Sequence, residues 1–183
     1  MRRLTFMLSA LTLATTALGA AFLDLPDRAG KAWVVCDALN TSRTLVIGTP
    51  DAAGRAVITT LDRRTGRWTH EAWQVGRADP GAGSVYYALK PRAGAPGRPG
   101  DAVRLVNPGV SVSPDLYAFT PALVSVTLRG EANECRLLPG TRLLGVTARR
   151  TVLVTQDAAG RLTYRSYDFA RPGAPLAVPG DGV

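Results

Sequence analysis

Apolar positions recur at a spacing of two over most of this chain, in short runs separated by turn residues. The clearest run is Ala122–Arg129, where Val124, Val126 and Leu128 face one way and Ser125, Thr127 and Arg129 the other. That period is the mark of a half-buried strand. Comparable runs are Lys31–Cys36, Arg43–Gly48, Arg55–Asp62, Gly66–Val75, Ser84–Lys90 and Ala102–Val106. Glu134–Leu138, Arg142–Ala148, Arg150–Gln156 and Arg161–Phe169 complete the series. Val, Ile, Thr, Tyr and Trp dominate them, the side chains that pack well on a pleated surface. About ten short strands spaced roughly 8–12 residues apart predict an all-β fold, a single antiparallel sandwich or barrel. The one helix-start signal is Ser113-Pro114-Asp115-Leu116, which predicts a short helical turn near 113–120.

The punctuation carries a repeat. Asp-Ala-Ala-Gly-Arg occurs at Asp51–Arg55 and again at Asp157–Arg161, each time between an apolar run and an alternating one. Asp caps its own turn and Gly supplies a positive φ before the returning strand, so both copies are expected to be hairpin turns. A phosphate loop needs more glycines with a helix behind them, and a calcium loop needs more carboxylates. The repeat therefore reads as two similar hairpins, tied together by a disulfide. Pro91 to Gly100 is expected to be a Pro/Gly loop, and residues 171–183 a disordered tail.

The amino terminus has a different pattern. Arg2 and Arg3 precede an apolar run from Leu4 to Leu18 that ends in the small residues Gly19 and Ala20. This is the layout of a secretory signal peptide over residues 1–20, and the run is shorter than the roughly 20 residues that span a bilayer. It leaves a β-domain over 21–170, large enough for one core. A secreted or periplasmic location is expected. The two cysteines, Cys36 and Cys135, then read as a disulfide. Closing so long a loop is worth roughly 4 to 5 kcal/mol in the chain-entropy account.

Net charge is +8, and 22 residues are Lys or Arg, but only Lys31 and Lys90 are Lys. An arginine bias alongside abundant Ala, Gly and Pro has the look of a GC-rich genome, so the charge argues only weakly for a polyanion. Catalytic patterns are sparse. His70 is the only histidine. Its neighbour Glu71 points to the opposite face of a strand, and no second His follows at metal spacing. No metal or cofactor is expected. The candidate binding surface is aromatic and basic: Trp68, Trp73, Tyr86 and Tyr87, with Arg67, Arg77 and Lys90 among them. Alternation puts Trp68 and Trp73 on opposite faces, and likewise Tyr86 and Tyr87, so at least one of each pair is expected to be exposed. Export and the lack of a recognition motif make nucleic acid an unlikely partner.

Gly83-Ser84-Val85-Tyr86 resembles the S-G-x-x-Y segment of small periplasmic lysozyme inhibitors built on a cysteine-stapled β-barrel. The Ser–Gly order is reversed here, the cysteines lie farther apart, and the resemblance covers only a dozen residues. It implies an inhibitor that inserts Ser84 to Lys90. The expectation from the whole chain is an exported, non-enzymatic β-domain of the bacterial envelope that binds a protein or an anionic polymer. The alternatives are an inhibitor of an extracellular hydrolase such as a lysozyme, and a hydrolase using His70.

Overall fold

A computed structural model describes residues 21–25, 28–81, 83–94, 96–106, 123–136, 140–171 and 173–180. The signal-peptide segment and the turn expected near 113–120 lie outside these residues.

The described residues form thirteen strands and no helix. They are β1 (Ala21–Leu25), β2 (Arg28–Asp37), β3 (Arg43–Gly48), β4 (Arg55–Asp62), β5 (Arg67–Gly81), β6 (Ser84–Pro91), β7 (Ala102–Val106), β8 (Leu123–Leu128), β9 (Glu131–Glu134), β10 (Thr141–Val146), β11 (Arg150–Gln156), β12 (Leu162–Asp168) and β13 (Leu176–Gly180). Two antiparallel sheets result, β1 to β9 and β10 to β13, each with its strands in sequence order. The all-β class matches the alternating pattern.

The larger sheet curls until the carboxyl ends of β2 and β9 meet. Ala38, just past β2, bridges Cys135, just past β9. The Leu39 amide donates to the Glu134 carbonyl at 2.7 Å, and the Arg136 amide to the Asp37 carbonyl at 2.9 Å. Cys36 and Cys135 are disulfide-bonded here, 99 residues apart in sequence. The inner face holds the core. Val34, Cys36, Leu45, Ile47, Ala56, Ile58, Trp73, Val75, Leu89, Val103, Leu105, Val126 and Leu128 fill it. These are alternate residues on successive strands, as the period of two requires.

The smaller sheet docks on the seam of the larger one. Asp37 is fully buried there. Its Oδ1 accepts from Arg63 Nη1 at 2.6 Å and its Oδ2 from Arg136 Nε at 2.7 Å. Arg63 also donates to the carbonyls of Ala38 and Thr41. Each guanidinium then covers a ring of the smaller sheet's β12 end, Arg63 over Phe169 at 5.2 Å and Arg136 over Tyr167 at 3.8 Å. Such stacking adds to ion pairing when water is excluded. Burial holds the Arg63 guanidinium below its ordinary value; Asp37 opposes that shift and Arg136 adds to it.

Both Asp-Ala-Ala-Gly-Arg copies are hairpin turns, one joining β3 to β4 and the other β11 to β12. The aspartate Oδ1 accepts from the amides two and four residues on at 2.9 Å in each copy. The glycines have φ of 76° and 81°. The disulfide does not tie these hairpins together. It links β2 to the residue just past β9 within the larger sheet, and the cationic stacks on Tyr167 and Phe169 join the two sheets.

Three other expectations change. The strand expected at Glu134–Leu138 starts earlier, as β9 at Glu131–Glu134, and residues 137 and 138 lie outside the described ones. Arg129 and Gly130 form a two-residue turn with both φ positive, 52° and 78°, which starts the return strand at once. The tail carries β13, an edge strand whose residues 176–180 pair with β12. Leu176 and Val178 alternate, but the surrounding Pro and Gly hide the pattern, and Pro179 is tolerated because the strand is at an edge. Finally, β5 runs on past Val75, because a bulge between Val75 and Ala78 re-registers it on β6.

Candidate polar site at the mouth of the curled sheet

The inner face changes character at one end of the sheet. Along β5 it reads Arg67, Thr69, Glu71 and then Trp73, Val75, with the first three exposed and the last two buried. Along β4 it reads Ile58, Thr60, Asp62, and along β3 Ile47, Leu45, Arg43. Register aligns these transitions: Arg43 lies opposite Asp62, and Asp62 opposite Arg67. Leu128, Arg129 and Glu131 of the β8–β9 turn complete the wall. The result is a cavity of about 410 Å3, open to solvent and polar apart from Leu128.

Its charges are largely paired across strands. Arg43 Nη1 lies 2.6 Å from Glu131 Oε2, and Arg129 Nη1 2.7 Å from Glu71 Oε2. The same Glu71 oxygen accepts from the Trp73 indole at 3.2 Å, and Arg129 stacks on that indole at 5.1 Å. Arg129 reaches this position from a left-handed backbone that non-glycine residues seldom adopt. Asp101 braces the turn, accepting from the Gly130 amide at 2.8 Å.

Asp62 faces its own hairpin. Its Oδ1 accepts from the Arg64 amide at 2.9 Å and the Thr65 amide at 3.3 Å, and these bonds, that of Arg64 foremost, hold its carboxyl below the ordinary value. Arg67, opposite Asp62 in register, has no ion-pair partner among the described residues.

The aromatic and basic residues singled out from sequence do not form one surface. Trp73 is fully buried beneath Arg129. Tyr87 packs against the core, edge-to-face with Trp33 at 4.9 Å. Trp68 is half-buried on the outer face, in register with fully buried Leu61. Tyr86, 40% exposed, lies under Arg104 at 5.7 Å. Lys90 shares that outer face of β6, opposite Gln74. Arg77 is exposed in the β5 bulge. Arg67 alone of the set lines the cavity. The other residues of the wall carry no local motif. Their signal is the switch from apolar to charged along one face of several strands.

His70 lies on the outer face, its Nδ1 2.9 Å from the hydroxyl of buried Thr59. Ser84 to Lys90 falls within β6, paired on one side to β5 and on the other to β7, with Ser84 buried. Among the described residues no group of three or more His, Cys, Asp or Glu is placed to hold a metal ion. No helix among them is long and apolar enough to cross a membrane.

Set against protein families, characterised proteins and solved structures, the chain matches none of them.

Proposed function

We propose that this protein is exported and acts by binding, with its recognition site at the polar mouth of the curled sheet. Export rests on Arg2 and Arg3, the apolar run after them and the small residues that end it. A disulfide that closes the main sheet suits an oxidising compartment such as the periplasm or the cell exterior. The observation that carries the binding reading is the cavity itself. It is of the size of small-ligand sites, roughly 300–1,000 Å3, and is walled by hydroxyls and ion pairs with Leu128 as its apolar patch.

The same geometry argues against acid–base chemistry. Glu71 and Glu131 each sit in an ion pair, and Asp62 is held ionised by amide donors. A partner from the envelope, whether a protein or an anionic polymer, would present a polar group to the mouth.

Thr69→Trp fills the cavity from an exposed strand position. Tyr86→Ala with Lys90→Ala strips the outer face instead. Immobilised wild-type protein should retain a partner from an envelope extract. The Thr69→Trp protein should lose it, and the outer-face variant should keep it. The reverse pattern would move the site to the outer face.

A further inference from the structure

Resting on the mouth as the recognition site, we infer that its ligand is a saccharide unit carrying one carboxylate, of the uronate class. The charge count around the cavity comes first. Arg43 and Arg129 are matched by Glu131 and Glu71. Asp62 lies across from Arg67, yet its carboxylate is turned to the amides of Arg64 and Thr65. One guanidinium on the rim is therefore left without a counter-ion among the described residues. A planar guanidinium of this kind grips a carboxylate through two parallel N–H donors. A phosphate dianion would face Asp62, Glu71 and Glu131 with only that one uncommitted cation, so a monoanion fits better.

The walls set the rest of the ligand. An arginine has five N–H donors and a carboxylate about four acceptor sites. Each wall pair spends one contact on its partner at 2.6–2.7 Å, and Glu71 also accepts from the Trp73 indole, so further donors and acceptors remain on both sides of each pair. Thr60 and Thr69 add hydroxyls to the same wall. Neighbouring hydroxyls on a sugar ring, each donor and acceptor at once, complement such a wall. An apolar ligand would strip these groups of water without replacing their bonds. Leu128, the one apolar residue of the lining, offers a patch for the C–H face of a ring.

The test titrates isotope-labelled full-length protein with oligogalacturonate, with the neutral galactose oligomer and with inorganic phosphate, following backbone amides by NMR. Oligogalacturonate should shift Thr60, Thr69, Leu128 and Gly130. The neutral oligomer should bind about tenfold more weakly or worse, the worth of one charge-assisted contact. Arg67→Gln should bring oligogalacturonate down to the neutral level, and Arg77→Gln should not. Equal binding of the neutral oligomer, or stronger binding of phosphate at the same amides, overturns the ligand class and leaves the mouth standing. Silence from all three probes while Thr69→Trp still abolishes partner capture does the same. Shifts confined to Tyr86 and Lys90 overturn both.

Discussion

Asp37→Ala removes the single anion shared by two arginines at the seam between the sheets. The aspartate is fully buried, and the Arg63 and Arg136 side chains are only 13% and 17% exposed. Deleting it leaves two cations facing each other with little water to screen them. Breaking a buried pair from one side typically costs about 3–5 kcal/mol. Two contacts here soften the loss: Arg63 keeps the carbonyls of Ala38 and Thr41, and Arg136 keeps the ring of Tyr167. The expected cost is therefore about 3 kcal/mol, the lower end of that range. That is a large part of the roughly 5–15 kcal/mol that holds a domain folded. Asp37→Asn preserves the shape and one acceptor but not the charge, and should cost about half as much. Urea denaturation at constant m-value measures both. Hydrogen exchange adds a local readout: in Asp37→Ala the amides of Ser166 and Tyr167 should exchange sooner than those of Leu45 and Ile58. A cost below about 1 kcal/mol, the range of an exposed ion pair, with β12 protection unchanged, would refute the seam as the joint between the sheets.

Gly140 and Gly66 have nearly the same left-handed φ, 72° and 71°. A Cβ on Gly140 would overlap the Gln156 carbonyl oxygen, whereas one on Gly66 meets nothing within 4 Å. Gly66→Ala should cost about 1–2 kcal/mol from backbone strain alone, and Gly140→Ala clearly more; equal melting temperatures would contradict the packing at β11. The carboxyls of Asp51 and Asp157 are held below their ordinary value, Asp51 mainly by the Arg55 amide and Asp157 mainly by the Arg161 side chain. Their stabilisation is present above the unfolded-state value and is lost as pH falls through the folded one, below about pH 4. The melting temperature should drop in that window, and less steeply in the Asp51→Asn, Asp157→Asn double variant; parallel curves would count against the turns.

The strands were legible in the sequence wherever one face was wet. In β8 the inner residues Val126 and Leu128 alternate with the partly exposed Ser125 and Thr127, so the period of two is visible. The disulfide was legible from the even count of cysteines. The curl of the sheet was not, and the error over Trp73 follows from that. Parity placed Trp68 and Trp73 correctly on opposite faces, but curling closed the inner face over Trp73, and the row through Leu61 half-covers Trp68. The mouth escaped notice because its residues come from five strands. Arg67, Thr69 and Glu71 look like an ordinary solvated strand end until they are seen to share a face with Trp73 and Val75. That switch within one strand is a sequence signal, and it points to where a core opens.

Strand order in the main sheet has a consequence for how the chain assembles. Every strand from β1 to β9 pairs with its neighbours in sequence, so the contacts are local compared with the final seam and the sheet can grow from its first hairpin onward. Sealing the curl is the exception: the Ala38–Cys135 bridge joins residues separated by nearly the whole sheet. Cys36 is made early from the amino terminus and waits for Cys135, with seven strands to be threaded between them. Oxidation of that pair thus serves as a record of completion. A chain that stalls partway leaves Cys36 as a lone thiol, open to capture by another molecule's cysteine.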